Sequence, residues 1–285
     1  DDALTFGYSL GIGLTTSFTG EDSLAITLDA GNVTEGVAEF DGNTTGDTLI
    51  VDGISYTFPL GDATVLVGDS TDGSALFTTA CAYGGPGALL DDCGNVNAGI
   101  TGGEATIGAS YDFGNGFTAA TGFQTSSTTA GVFTDESSDA YAFNTAYTAD
   151  SYGVSVTYSV VENAGLTNED TFTAANAYYT PDGSLPSISV GYEIGDIGGA
   201  VSSNDEMTSF MVGLSWDEVG PGSAGIALGH SSTVEGTDEA YQYEAYYSYP
   251  INDGMTITPL IYSKDNVTSG ADDTTGVMVK TSFSF

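Results

Sequence analysis

The sequence predicts an all-β protein, a transmembrane antiparallel β-barrel with sixteen strands expected and fifteen visible in these 285 residues. Three observations predict it. Apolar and small polar residues alternate at period two in one segment after another. Short turns alternate with long acidic loops between those segments. The composition joins 40 Gly and 31 Phe plus Tyr to only two Lys and no Arg.

The alternation is clearest in five places. Leu4, Phe6, Tyr8, Leu10, Ile12 and Leu14 alternate with Thr5, Gly7, Ser9, Gly11 and Gly13. Ala105 to Phe113, Tyr152 to Val160 and Ile188 to Ile194 repeat the pattern. The chain closes on Val277, Val279, Thr281, Phe283 and Phe285, interleaved with Met278, Lys280, Ser282 and Ser284. Successive strand residues face opposite sides, so each segment has one apolar and one polar face. Weaker versions lie near 23–31, 50–58, 62–68, 116–125, 139–149, 171–180, 207–217, 223–230, 239–249 and 254–263. A two-sheet sandwich also alternates. The barrel is favoured because the polar face is mostly Gly, Ser and Thr, with few of the long charged side chains that coat soluble sheets. Aromatic residues also gather at strand ends: Tyr111 and Phe113, Tyr178 and Tyr179, Tyr247 and Tyr249, Phe283 and Phe285. Interfacial girdles need that placement. A nine-residue strand rises ~30 Å and, tilted by ~35–45°, covers a ~25 Å apolar band. Small inward residues leave the lumen open.

Short turns fall at Gly20-Glu21-Asp22, Pro59-Leu60-Gly61, Gly114-Asn115-Gly116, Ala149-Asp150, Pro181-Asp182-Gly183, Val219-Gly220-Pro221-Gly222 and Pro250-Ile251-Asn252-Asp253. Longer loops cover 32–49, 69–103, 126–138, 162–170, 195–206, 231–238 and 264–273. That asymmetry is the layout of outer-membrane barrels. The segment 4–18 runs into a short turn and the last strand leaves a long loop, so the two run parallel. Even antiparallel numbers are the rule. A sixteenth strand upstream of Asp1 restores it, which makes 4–18 the second strand. The chain begins without Met or a leader, so a processed or incomplete chain is expected.

Thirty-nine carboxylates against two lysines give a formal charge of −37. This excludes nucleic acid, since nothing neutralises phosphates. Disordered acidic chains are poor in aromatic and β-branched residues, and this one is rich in both. The charge implies a cation-rich medium, because the Debye length falls from ~10 Å at 0.1 M salt to ~3 Å at 1 M. The sequence has no run of about 18 apolar residues from which a membrane helix could form, a limit that does not bear on barrel strands.

Ser17-Phe18-Thr19-Gly20-Glu21-Asp22-Ser23-Leu24, running on to Asp29-Ala30-Gly31-Asn32, resembles the first hairpin of cyanobacterial outer-membrane porins. Ile54-Ser55-Tyr56-Thr57-Phe58-Pro59-Leu60-Gly61-Asp62 with Val65-Leu66-Val67-Gly68, and Tyr246-Tyr247-Ser248-Tyr249-Pro250-Ile251-Asn252-Asp253 with Ile257-Thr258-Pro259, resemble two further stretches of that family. The terminal Phe283 and Phe285 resemble the C-terminal assembly signal of outer-membrane barrels. The resemblance implies a carbohydrate-porin-like barrel and a homotrimer. It also implies an N-terminal cell-wall-binding domain, a coiled-coil spacer and a first strand, none of which this sequence contains. A peptidoglycan or cell-wall partner would act only through that domain. Family members carry Arg and Lys in the barrel, and their near absence here argues against anion or sugar selectivity.

The chemistry is sparse. His230 is the one histidine, at the end of the 223–230 segment, and no GxSxG, HExxH, CxxC or P-loop motif occurs. No enzyme is expected. The loop 69–103 is too long for a plain connection. Folded inward, it would narrow a pore with Asp69, Asp72, Asp91 and Asp92, since rings of carboxylates select cations. An external flap is the alternative. Cys81 and Cys93 lie in it, and an export setting predicts a disulfide rather than two free thiols. Parity places Lys280, Glu193 and Asp112 towards the lumen. Asp41, Asn43 and Asp47 have a spacing that could offer oxygens to Ca²⁺, as do the clusters Asp135-Glu136 and Asp272-Asp273, with solvated loop charges as the plain alternative. No other cofactor is expected.

The chain is therefore expected to be one barrel domain, 1–285, in a bacterial and by resemblance cyanobacterial outer membrane. It is expected to contact outer-membrane lipid and to pass ions and small polar solutes passively, preferring cations. An acidic secreted or surface-layer adhesin without a pore is the competing reading, separated by detergent extraction and conductance.

Overall fold

The computed structural model describes residues 4–33, 42–87, 90–126, 131–134, 136–162, 168–198, 204–267 and 272–284. Fifteen strands follow one another: β1 (Ser9–Thr16), β2 (Ser23–Gly31), β3 (Ile50–Leu60), β4 (Ala63–Asp69), β5 (Ala105–Asp112), β6 (Phe117–Thr125), β7 (Asp139–Thr148) and β8 (Tyr152–Glu162). They continue as β9 (Glu169–Tyr179), β10 (Ser187–Ile197), β11 (Glu206–Val219), β12 (Gly222–Val234), β13 (Gln242–Asn252), β14 (Met255–Lys264) and β15 (Thr274–Phe283). All lie in one sheet in chain order, so each strand is adjacent to its sequence neighbours. No helix among the described residues is long and apolar enough to cross a membrane, which says nothing of crossing by strands.

Among the described residues the count is fifteen, the number of segments visible in the sequence. The first strand is shorter than expected. It pairs with β2 from Ser9↔Gly31 to Thr16↔Leu24, and its partner strand ends at Gly31. Among the described residues, Leu4 to Gly7 alternate but stand outside that ladder. Tyr8 is the last residue held, exchanging bonds with Asn32.

The faces are inside out relative to a soluble sheet. On β8, Val154, Val156 and Tyr158 are 46%, 46% and 41% exposed, while Ser155, Thr157 and Ser159 between them are 3%, 0% and 0% exposed. On β10, Ile188, Val190, Tyr192 and Ile194 are exposed, and Ser189 and Glu193 are buried. Water would penalise such a bare apolar face by about 25 cal/mol per Å². It suits a surface covered by hydrocarbon.

Two compact units are distinguished by their contacts. The first comprises 1–77, 99–144 and 159–169, and the second 78–98, 145–158 and 170–285. The first has a small apolar cluster of Ile100, Ala140 and Ala142 with Phe77 and Val161. The second gathers Tyr83, Leu90, Cys93, Met211 and Ala227, with Cys81 and Tyr246 against them. Both clusters need residues of the 69–103 segment.

Aromatic rings mark the short-turn ends. Tyr111 and Phe113 meet at 4.8 Å, and Tyr147 and Tyr152 at 5.8 Å. Tyr179, Tyr249 and Phe283 are exposed there too. Tyr178 differs from the expected pair, because its ring covers Gly153 on the opposite face.

The turn between β1 and β2 is locked by one carboxylate. Asp22 Oδ1 accepts from Ser17 Oγ (2.6 Å), Phe18 N (3.0 Å), Thr19 N (2.8 Å) and Thr19 Oγ1 (2.8 Å), and its Oδ2 accepts from Tyr56 Oη (2.6 Å). Ser17 first, then Tyr56 and the Thr19 backbone, hold its pKa well below the usual carboxylate range. A lowered folded value stabilises above the unfolded pKa of ~3.9 and loses that contribution as pH falls through the folded value. Asp22→Asn should therefore lower the denaturation midpoint most at neutral pH, and the gap to the parent should shrink in strong acid. Denaturant titrations at both pH values check this. An unchanged midpoint at neutral pH would show that the lock carries no weight.

Candidate functional site

The segment 69–103 is built in two parts. Its root belongs to the first unit and is a narrow neck. Thr71 bridges Gly103, Ser74 N donates to the Ile100 carbonyl (3.1 Å), and Gly73 N donates to Gln124 Oε1 (3.0 Å). Asp72 accepts from Gly102 N (2.8 Å), and Asp69 accepts from Ser70 Oγ (3.2 Å). Asp72 thus ties the neck, while Asp69 bonds only its neighbour.

The distal part, 78–98, belongs to the second unit and lies on the polar face of its sheet. The expected disulfide joins Cys81 to Cys93, with Cα atoms 6.4 Å apart. An irregular segment carries backbone donors and acceptors that the sheet ladder cannot satisfy. The wall supplies the partners. Ser155 on β8 accepts from Ala80 N (2.9 Å), and Ser189 on β10 accepts from both Ala82 N (2.8 Å) and Tyr83 N (3.0 Å). Ser215 on β11 donates to the Ala82 carbonyl (3.3 Å), and Asn176 on β9 donates to the Cys93 carbonyl (2.8 Å). Small polar residues that the alternation assigns to an open lumen therefore receive this segment along β8–β11.

Close approach also requires bare backbone. A Cβ at Gly191 would fall on the Cys93 carbonyl, and one at Gly213 would meet the Tyr83 ring at 2.7 Å. Tyr83 reaches on to β13, where its hydroxyl donates a short bond to Glu244 Oε1. Burial first, then the Glu244 charge, push the Tyr83 phenol up, so it remains a donor. Lys280 on β15 donates to the Pro86 carbonyl at 3.4 Å.

The charges follow from these placements. Asp91 and Asp92 are exposed on the seated segment. Desolvation, then the charges of Asp91 and Glu193, push the Asp92 carboxyl up to about 6. Glu193 is on the polar face, as parity predicts, but only 1% exposed and bonded to Asn97 and Ala98. Lys280 shares that face with buried Met278, and Lys264 shares it with buried Leu260. Asp112 has the predicted parity but sits at the end of β5, where it accepts from Gly114 N (2.8 Å) and shapes its own turn.

The remaining candidates fall elsewhere. Asn43 donates to the Leu10 carbonyl (3.0 Å), and Asp47 hydrogen-bonds Tyr8, so both strap the end of β1. Their supposed third partner, Asp41, lies outside the described residues, as do Asp135 and Phe285. Phe283 is 61% exposed on the apolar face. His230 is not at a strand end, since β12 runs to Val234. It is packed edge-on against Phe210 at 4.8 Å and bonded to Thr233 Oγ1 at 2.9 Å. Sequence reading missed Ser155, Ser189, Asn176 and Glu244. Only Glu244 carried a signal, because a carboxylate in mid-strand needs a donor or solvent.

No protein-family model and no curated protein matches this sequence. Among solved structures the chain is similar to two mutants of Rhodopseudomonas blastica porin, with TM-scores of 0.54 and 0.55 at 14% identity, covering 98% of this chain and 90% of each of those. A structure from work on the asymmetric conductivity of engineered proteins aligns with a TM-score of 0.55 and 14% identity, with the same coverage. The likeness defines the class. The fold is all-β, that of the porin-type transmembrane antiparallel β-barrel.

Proposed function

We propose that this protein is an outer-membrane porin, a water-filled channel for passive diffusion of ions and small hydrophilic solutes, with a preference for cations. One observation carries the reading: an inside-out sheet whose polar face holds a disulfide-closed segment bearing Asp91 and Asp92. A pore needs hydrocarbon outside, water inside and a fixed narrowing, and these features answer each need. With two lysines against 39 carboxylates, the potential along the passage is negative and concentrates cations. The resemblance to cyanobacterial porins extends the proposal to a homotrimer in a cyanobacterial outer membrane. Calcium enters it only as a counter-ion of acidic loops.

The test is conductance of the purified, folded protein in a planar bilayer. Stepwise channels with a reversal potential of cationic sign are expected under a salt gradient. Folded protein that gives no steps would end the proposal in favour of a poreless surface protein. The lipid-facing assignment has its own test. Val156→Arg should cost ~2–4 kcal/mol of folding stability in lipid vesicles if that position lies near the bilayer midplane. Urea titration of the heat-modifiable band measures it, and a parental midpoint would take Val156 out of the apolar band.

A further inference from the structure

We infer that Glu193 is the positioning residue that fixes the width and ion preference of the passage, holding the return limb of the 78–98 segment through its buried carboxylate. The inference rests on the porin reading and deepens it. Glu193 Oε2 accepts from Asn97 N (2.8 Å) and Ala98 N (2.7 Å), and Oε1 accepts from Asn97 Nδ2 (2.7 Å). Both oxygens are thus engaged by one two-residue stretch. Asn97 Nδ2 lies 3.1 Å from Ser232 Oγ as well, which ties the same limb to β12.

A carboxylate at this place has a specific effect. Two consecutive backbone N–H groups in an irregular segment need acceptors, and an ionised acceptor makes bonds roughly twice as strong as a neutral one. A carboxyl group 1% exposed has no water to replace those donors. The limb and the wall therefore depend on each other. Cys93, four residues before Asn97, carries the disulfide back to Cys81, and Asp91 and Asp92 precede it directly. Where Glu193 holds Asn97 and Ala98, it sets where those two carboxylates project.

Position and charge are separable by experiment. Glu193→Gln keeps the length, removes the charge and leaves a single neutral acceptor, so the two backbone donors and Asn97 Nδ2 no longer share two charged oxygens. Glu193→Asp keeps the charge and withdraws it by one methylene, out of reach of Asn97 and Ala98. Both variants should give a larger, noisier single-channel conductance and a smaller cation-signed reversal potential, with unchanged heat-modifiability on gels. If Asp behaves as the parent while Gln loses selectivity, Glu193 acts as a field charge and the anchoring role is wrong. Parental conductance in both variants would overturn it equally. Asn97→Ala removes one of the three bonds to Glu193, together with the tie to Ser232, and leaves both backbone donors, so it should shift both readouts the same way by less. Should neither Glu193 variant fold, this one decides, and parental values would refute the anchor. A parent that forms no channels at all would instead refute the porin reading.

Discussion

Valine at Gly191 is expected to lift the segment 78–98 from its seat and open the channel. The glycine has no room for a Cβ, because the Cys93 carbonyl and Asn176 Nδ2 occupy that space. The obstacle is backbone held in a disulfide ring, so it cannot yield as a flexible side chain would. The strand itself tolerates valine, since β-branched residues suit a pleated backbone and the ladder bonds of β10 do not involve the side chain. The strain falls on the loop, with loss of the Asn176 bond to the Cys93 carbonyl. Single-channel recording should show a raised conductance with frequent transitions. Gly13→Val is the control, because a Cβ there meets nothing within 4 Å. Equal conductance in parent, variant and control would mean that the segment does not obstruct the passage.

The second large effect is on selectivity and its dependence on pH. Asp91→Asn with Asp92→Asn should reduce the cation-signed reversal potential, most visibly at low ionic strength, where exposed charges are least screened. In the parent, Asp92 titrates near 6 rather than near the ~3.9 of a free aspartate, because of desolvation and the charges of Asp91 and Glu193. Moving from pH 7 to pH 5 should therefore neutralise it and lower cation preference, and the double variant should lose that step. The stability linkage has the opposite sign to that of Asp22. A raised folded pKa means that protonation favours the folded state, so acidification through about 6 relieves a destabilising charge at Asp92 while Asp22 keeps its contribution. A reversal potential that does not change between the two pH values would place Asp92 away from the ion path.

Much of this fold was legible because a strand's period of two is a local property. The fifteen segments, their turns and the polar parity of Glu193 and Lys280 all follow from it. Strand ends were less legible, since Leu4 to Gly7 alternate perfectly yet lie outside the ladder among the described residues. The segment 69–103 was legible by its length and its two cysteines. Its destination was not, because Ser155 and Ser189 look like any small polar residue until a backbone N–H arrives above them. Asp112 illustrates the same limit. Whether a terminal carboxylate serves the passage or its own turn depends on the backbone two residues later. Asp72, taken with Asp69, Asp91 and Asp92 from sequence alone, is bonded across the neck to Gly102, whereas Asp69 meets only its neighbour Ser70.

The order in which the parts of this seat become available has a kinetic consequence. Cys81 and Cys93 are 12 residues apart and can close their ring as soon as that short stretch reaches an oxidising space. Tyr83 must find Glu244, 161 residues further on, and Pro86 must wait for Lys280, 194 residues away. Contacts of such long range form slowly, because the entropy of closing the intervening chain is lost before any bond repays it. The ring can thus close before the later strands exist, and its ties to β13 and β15 are the ones that wait for the end of the chain, after the seat on β8–β11 is already in reach.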